Sequence, residues 1–452
     1  MKSSRLLATA GVLTTTALVL AACGGSSSST TSSSAAPSAA ETTAASSAPA
    51  SSSAPANTDP ITIGLPIAQS GPAGIADHKD CWNGAILASD EINAAGGVNG
   101  RQLALDVTDI DILSPEGITA GFQKLAGDGV QAFVSPFVII PPPALDAAAA
   151  YGAPYMSGDT NIDAQVIREG DPAKYGNYFV DPAETYYGTG FVTALTSLSD
   201  TGKWKPKNNK VDIVRGDTAY NKNIAQATID AVKASNGKWE MGEVIDITAG
   251  TKDWAPVIQK LQASDAGVIM IDHWIGAELA SFSQQFAQNP VKNSLVYLQY
   301  GPSQPEYLKI AGPAANGFIW GTVIGTGNTS AEDKAFRATY QSKFGVDDKT
   351  MGMVYPAWCY DMVKVLANAW TNVDPADFKA VNDFIAKNPT DGVTGHLDFS
   401  AASGAVPIYP DVAATINDGV THYFYQVQNG RHTVIAPADD AEAEFVPQPW
   451  MS

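Results

Sequence analysis

The sequence predicts an α/β protein in which parallel sheets are covered by helices and divided between two lobes. Three observations carry this reading. Strand and helix patterns alternate almost without interruption from Ile61 onward, which is the signature of parallel strands joined through helices. The alternation restarts after Asp181-Pro182, so a second series follows the first. The chain has 452 residues, of which 45% are hydrophobic, enough for two or three compact domains with a sizeable core.

The N-terminus precedes any of this. Lys2 and Arg5 stand before an apolar run from Leu6 to Leu20, short and threonine-rich for a membrane span. Small residues then lead to a cysteine in Leu20-Ala21-Ala22-Cys23-Gly24, the layout of an export signal. This ending resembles the lipobox of bacterial lipoproteins, which implies a signal peptide over residues 1–22 and a lipid anchor on Cys23. Residues 23–58 are almost entirely Ser, Ala, Thr and Pro, with Glu41 as the lone charge. Such a segment cannot bury enough apolar surface to order itself and is expected to act as a flexible tether.

The folded part opens with Pro60 to Asp109. Ile61, Ile63, Leu65 and Ile67 alternate as in a strand, and Gln69-Ser70-Gly71-Pro72 breaks the pattern. Trp82, Ile86, Leu87 and Ile92 line one stripe of a helix that Gly96-Gly97 ends. Asn99-Gly100 turns into a second strand from Gln102 to Val107. A helix is expected near Pro115–Ala126, a strand over Val130–Ser135, and an alanine-rich helix entered through Pro141-Pro142-Pro143. A short strand at Ala153–Met156, a polar loop at Ser157–Asp163 and a strand near Asn177–Val180 complete the first series.

The second series reads helix Tyr186–Leu198, strand Val211–Val214, helix Asn221–Ala234 and strand Glu243–Ile247. Helix Trp254–Leu261, strand Val268–Ile271, helix Ala277–Ala287 and strand Leu295–Leu298 follow. A third block has a strand at Gly317–Ile324, helices at Ala331–Phe344, Ala357–Trp370 and Phe378–Ala386, and a strand near Gly395–Phe399. Thr421–Gln428 and Thr433–Ile435, turned at Asn429-Gly430, make a β-hairpin.

The formal net charge of −19 excludes a nucleic-acid partner and adhesion to an anionic membrane through a basic patch. No Gly-x-Ser-x-Gly elbow, P-loop, His-Glu-x-x-His or Gly-x-Gly-x-x-Gly occurs, and the five histidines are scattered. Catalysis, a cofactor and a metal site are therefore not expected.

Several segments, in order, resemble the leucine/isoleucine/valine-binding proteins, the type I solute-binding components of ABC importers. They are Ile63-Gly64-Leu65-Pro66, Ser70-Gly71-Pro72 and Asp90 to Arg101; Gly250 to Trp254 with Ile258 to Leu261; Ile310-Ala311-Gly312 with Ala315-Asn316-Gly317; Tyr355 to Asp361; and Gly392 to Phe399. The resemblance covers Pro60 to about Ala436. It implies the type I periplasmic-binding-protein fold, with two Rossmann-like lobes and crossings near Val180–Ala183, Val323–Thr326 and Phe399–Gly404. Lobe one would hold residues 59–181 and 324–400. Lobe two would hold 182–323 and a terminal hairpin in 401–436, and 437–452 would be a tail. A small solute would be captured between closing lobes and passed to a membrane permease, by a monomer held at the extracytoplasmic face through Cys23. A ligand sensor of the same fold is the alternative.

Carried over position by position, the resemblance implies a ligand-binding set of Ser70, Ile139, Asp159, Asn161, Tyr220, Trp274 and Tyr300. His273 and Ile275 are neighbours that can take the place of Trp274, and Trp320 joins the pocket unless it belongs to the core. Two departures stand out. Val138-Ile139-Ile140 occupies the place of the family's carboxylate-gripping serines, and Tyr300 that of its ammonium-pairing acid. The solute is therefore expected to be an amino acid, an amide, or a more hydrophobic or aromatic compound. Cys81 and Cys359 would both fall in lobe one, where they can form a disulfide.

Overall fold

The computed structural model describes residues 57–71, 74–327 and 329–451. The signal segment, Cys23 and all of the tether but its last two residues lie outside the described residues. The first sheet is built from β1 (Ile61–Ile67), β2 (Leu103–Asp109), β3 (Ala132–Ser135), β4 (Tyr155–Ser157) and β5 (Asn177–Phe179), in the order β2-β1-β3-β4-β5. All its pairings are parallel. The helices between them are α1 (Ile75–Ala94), α2 (Pro115–Gly127), α3 (Pro141–Tyr151) and α4 (Ile162–Gly170). Ile61, Ile63, Leu65 and Ile67 are buried along β1, because helices cover both faces of a parallel sheet.

The chain then crosses to α5 (Thr185–Asp200), β6 (Lys210–Arg215), α6 (Ala219–Ala234), β7 (Glu240–Asp246), α7 (Ala255–Ser264) and β8 (Val268–Asp272). α8 (Gly276–Gln288), β9 (Leu295–Gln299), α9 (Glu306–Ala311) and β10 (Ile319–Thr322) follow. It returns to the first lobe for α10 (Ala331–Phe344), α11 (Tyr355–Asn372) and α12 (Phe378–Ile385). Four short strands come next, β11 (Thr390–Gly392), β12 (Gly395–Leu397), β13 (Ile408–Tyr409) and β14 (Val420–Thr421). The hairpin of β15 (Tyr423–Gln428) and β16 (Arg431–Ala436) completes a seven-stranded sheet, β16-β15-β10-β9-β8-β6-β7. Asn429 and Gly430 have φ of 54° and 75°, as a tight hairpin with left-handed central residues needs.

α1 and α11 lie close together in the first lobe. A Cβ at Gly84 would stand 2.2 Å from the Pro356 carbonyl oxygen, so glycine there permits the approach. Beside it the Cys81 and Cys359 sulfurs are 1.95 Å apart, at disulfide distance.

The structure departs from the sequence reading in three places and decides the one left open at Trp320. The helix Ile162–Gly170 begins inside the loop expected over Ser157–Asp163 and fills a stretch left unassigned, because Asn161 Oδ1 caps it by accepting the Asp163 and Ala164 N–H groups at 2.9 and 3.3 Å. Residues 390–421 form a separate four-stranded sheet, β11-β12-β14-β13, rather than one strand and the start of a hairpin. The segment expected as a tail packs on the second lobe. Gln448 exchanges two 2.8 Å hydrogen bonds with the Val296 backbone, and the Trp450 ring lies 4.7 Å from Phe318. Trp320 is fully buried, stacks on Tyr425 at 4.2 Å and donates to His432 Nδ1, and so belongs to the core.

The crossings run side by side. Phe179 N–H donates to the Gly404 carbonyl at 2.8 Å and Val406 N–H to the Phe179 carbonyl at 3.1 Å, tying the third crossing to the first. The Tyr425 hydroxyl donates to the Thr326 carbonyl in the second at 2.8 Å.

Candidate functional site

The carboxyl ends of the parallel strands of both sheets meet at one cavity of about 70 Å³. That is where open α/β sheets bind ligands. From lobe one come Phe137, Val138 and Ile139 after β3, Asp159, Thr160 and Asn161 after β4, and Tyr355 at the start of α11. Lobe two contributes Tyr187 from α5, Thr218, Ala219 and Tyr220 at the start of α6, Trp274 after β8, and Tyr300 after β9. Ile324 comes from the second crossing.

Six of the seven ligand positions carried over from the sequence therefore share this cavity; Ser70 does not. Ser70 is exposed, and its Oγ donates to Asp109 Oδ2 at 2.5 Å. Asp109 Oδ1 also accepts the Gln69 and Ser70 N–H groups, so the end of β2 holds this loop away from the cavity. Asn161 lines the wall, but its side-chain oxygen is taken up in capping α4. Phe137, Tyr187, Thr218 and Tyr355 were not anticipated. Phe137 follows directly on a predicted strand, the position most apt to face a ligand, whereas Tyr187 sits inside a helix and gave no signal.

Asp159 is the one charged residue in the lining. Burial pushes its carboxyl up to about 7, although the N–H groups of Asn161 and Val138 oppose the shift. Asn161 N–H reaches Asp159 Oδ1 at 3.0 Å. Two more acids couple to it. Burial drives Asp181, in the first crossing, well above the carboxylate range, and neither of its oxygens has a hydrogen-bond partner. Glu184 is pushed up to about 8 by burial, against the 2.7 Å hydrogen bond that Asn223 donates to it.

On the other wall, Thr218 caps α6 by accepting Asn221 N–H at 3.2 Å and donates its own hydroxyl to Asn221 Oδ1 at 2.7 Å. Asn221 Nδ2 in turn donates to Asp272 Oδ1 at 2.9 Å, which ties the helix start to the end of β8. Gln299 holds the Tyr220 hydroxyl at 2.6 Å. Tyr300 has φ 54° and ψ −55°, a left-handed backbone that a bulky side chain adopts only where its surroundings impose it. The lobes touch across the cleft: Gln304 donates to Asp77 Oδ2 at 2.7 Å, and the Phe137 and Trp274 rings meet at 6.3 Å. Gly158 lets the β4 loop fit, since a Cβ there would stand 2.7 Å from the Pro136 carbonyl.

A periplasmic binding protein profile matches residues 60–419. The chain belongs to this family. It is 28% identical to the Leu/Ile/Val-binding protein BraC3 of Rhizobium johnstonii, over 59% of this chain and 68% of that protein. It is 25% identical to the leucine-specific-binding protein of Salmonella typhimurium, over 76% of this chain and 87% of the other. Among solved structures it is similar to a putative branched-chain amino acid ABC transporter from Silicibacter pomeroyi, with 30% identity and TM-score 0.79 over 87% of this chain and all of that one. It is thus an extracytoplasmic solute-binding protein of the ABC-transporter kind, not an enzyme. Among the described residues no three His, Cys, Asp or Glu side chains gather into a metal site, and no helix is long and apolar enough to cross a membrane.

Proposed function

We propose that the cavity between the sheets is the solute site, and that lobe closure over it presents a small solute with an apolar or aromatic body to an ABC permease. The observation that carries this is the lining itself, drawn from the strand ends of both lobes and dominated by aromatic rings. A volume of about 70 Å³ leaves room for on the order of half a dozen waters, which suits a solute of similar heavy-atom count rather than a peptide or sugar chain. The relatives named for leucine, isoleucine and valine make a branched-chain amino acid the first candidate. Against it stand Tyr300 in place of an acid and Val138-Ile139-Ile140 in place of hydroxyl donors, which favour a more apolar solute whose donor group meets Asp159.

A thermal-shift screen of the purified protein with amino acids, amides, amines and aromatic acids tests the reading, since a bound solute raises the melting temperature by mass action. A shift that disappears in Trp274→Ala is expected. A shift that survives that substitution would place the solute elsewhere. Cys23 as the lipid-bearing residue and a monomeric chain complete the proposal. Recovery of the Cys23→Ala protein in the membrane fraction would refute the anchor, and a dimer mass by light scattering the monomer.

A further inference from the structure

Resting on the cavity as solute site, we infer that the solute is an organic cation, an ammonium carrying alkyl groups and no carboxylate, held in a cage of aromatic rings with Asp159 as counter-ion. Three observations converge on this.

The first is the cage. Phe137, Tyr187, Tyr220, Trp274, Tyr300 and Tyr355 line the cavity from both lobes. Phe137 lies 5.6 Å from Tyr355 and 6.3 Å from Trp274, and Tyr187 lies 6.2 Å from Tyr220 and 6.5 Å from Tyr300, centroid to centroid. Ring faces attract a cation through their quadrupole, most strongly when water is excluded, and such cages suit quaternary ammonium groups.

The second is the sign of the charge. No Lys, Arg or His lines the cavity, whereas Asp159 does, with buried Asp181 and Glu184 coupled to it. A buried carboxylate left without a cation is costly, and a cationic guest supplies the missing partner.

The third is what lobe one lacks. A helix start normally offers free N–H groups to an anion. α3 begins with Pro141, Pro142 and Pro143, none of which has an N–H, and follows Val138, Ile139 and Ile140, which have no hydroxyl. The neutral side-chain donors that lobe one brings to the lining are the Thr160 hydroxyl, the Asn161 amide and the Tyr355 hydroxyl, the last already given to the Gly158 carbonyl at 3.2 Å. Helix N–H groups reach the lining at Ala219 and Tyr220 of α6 and at Tyr355 of α11, and such ends suit a hydroxyl or carbonyl oxygen of the solute.

The test is calorimetric titration of the purified protein with choline, tetramethylammonium, leucine, benzoate and 3,3-dimethylbutan-1-ol, the uncharged carbon counterpart of choline. Choline or tetramethylammonium should bind about tenfold or more tightly than the neutral alcohol, the margin expected of a desolvated cation–π site. Asp159→Asn should shrink that margin to a few-fold while the variant keeps its unliganded melting transition. Tyr300→Phe, which keeps the ring, should preserve the margin if Asp159→Asn fails to fold. Equal binding of choline and the alcohol, tighter binding of leucine or benzoate, or no binding of either cation would each overturn the cation assignment. Leucine or benzoate binding lost in Trp274→Ala would leave the cavity as solute site intact. Binding of any kind indifferent to Trp274→Ala would overturn the cavity reading itself.

Discussion

Two of the helices that begin near the cavity, α3 of lobe one and α6 of lobe two, begin in opposite ways. α3 starts with three prolines behind an isoleucine, so its first three residues carry no N–H and no side chain caps it. α6 starts with Thr218, whose hydroxyl caps the helix and whose partner Asn221 is fastened to Asp272. The same backbone element is stripped of its donors on one side and kept capped on the other. What sets the local chemistry of a strand-end site is thus the residue types in the first turn of each helix, more than the fold that places them. Lobe one supplies the acid, Asp159, beside the Phe137 and Tyr355 rings, and lobe two supplies four rings and the capped start of α6.

The walls also differ in how they are held, and this gives the largest expected effects. Lobe one is backed by the α1–α11 contact with Cys81 and Cys359, residues 278 positions apart. In the chain-entropy account a cross-link closing so long a loop stabilises by about 5–6 kcal/mol, so Cys81→Ser with Cys359→Ser should lower the unfolding free energy by that order. Denaturant titration should show the loss, and reductant should reproduce it in the wild-type chain. Two free thiols in the unreduced protein would remove this strut from the comparison. Neither cysteine lines the cavity, so the preference for choline over its alcohol counterpart should survive at temperatures where the variant is folded.

Lobe two has no described cysteine and is braced by the C-terminal segment instead. Trp450 is buried against Phe286 and Phe318, at 5.0 and 4.7 Å. Trp450→Ala should cost about 3–5 kcal/mol, the range for emptying a large buried aromatic site, and hydrogen exchange should quicken in β9 before it does in β1. Uniform quickening in both sheets would mean that the brace serves the whole body rather than one lobe.

This brace shows where sequence reading stopped. The alternating strands and helices were legible because each buries a periodic apolar face, and Ala331–Phe344 is found with the bounds read from the sequence. The 437–452 segment carries too few apolar residues to form a pattern, and its two anchors, Gln448 and Trp450, are meaningful only once β9 is in place. The cavity divides similarly. Ile139, Asp159, Tyr220, Trp274 and Tyr300 follow predicted strand ends, where the family resemblance places ligand contacts. Tyr187 is set on a helix face that only the packed lobe turns inward, and Ser70 is withdrawn by Asp109, a partner 39 residues away.

A smaller effect separates the lobes by pH. Burial raises Asp77 to about 8, Asp80 to about 7 and Asp159 to about 7, all in lobe one, and Glu184, just before α5, to about 8. A carboxyl raised in the folded state takes up protons on folding, so stability falls as pH rises from its ordinary value through the raised one. His78 and His432, pushed down to about 3 by burial, work the other way, but only below their ordinary 6.5. Between pH 6.5 and 8 the carboxyls act unopposed by these histidines, and the melting temperature should fall by a few degrees. Choline binding should run against this trend. Asp159 must ionise to pair with the cation, and it faces the buried Asp181, Glu184 and Tyr155, of which Glu184, raised to about 8, adds negative charge beside the cation toward the upper end of that window. Affinity should therefore weaken as pH drops below about 7, and a flat profile would separate the ring cage from its counter-ion.

The smallest effect bears on the comparison most directly. Pro142→Ala with Pro143→Ala returns N–H groups to the second and third positions of α3 while leaving Pro141 at the first, where proline is at home. Free N–H groups at a helix start favour an anion by about 0.3–1 kcal/mol, so a carboxylate such as benzoate should gain about two- to fivefold in affinity and choline should lose by a similar factor. Parallel titrations of the two ligands with wild type and variant measure the ratio, in which any common loss from altered packing cancels. An unchanged ratio would mean that the α3 start does not govern the charge of the solute, and that the selection between cation and anion rests on Asp159 alone.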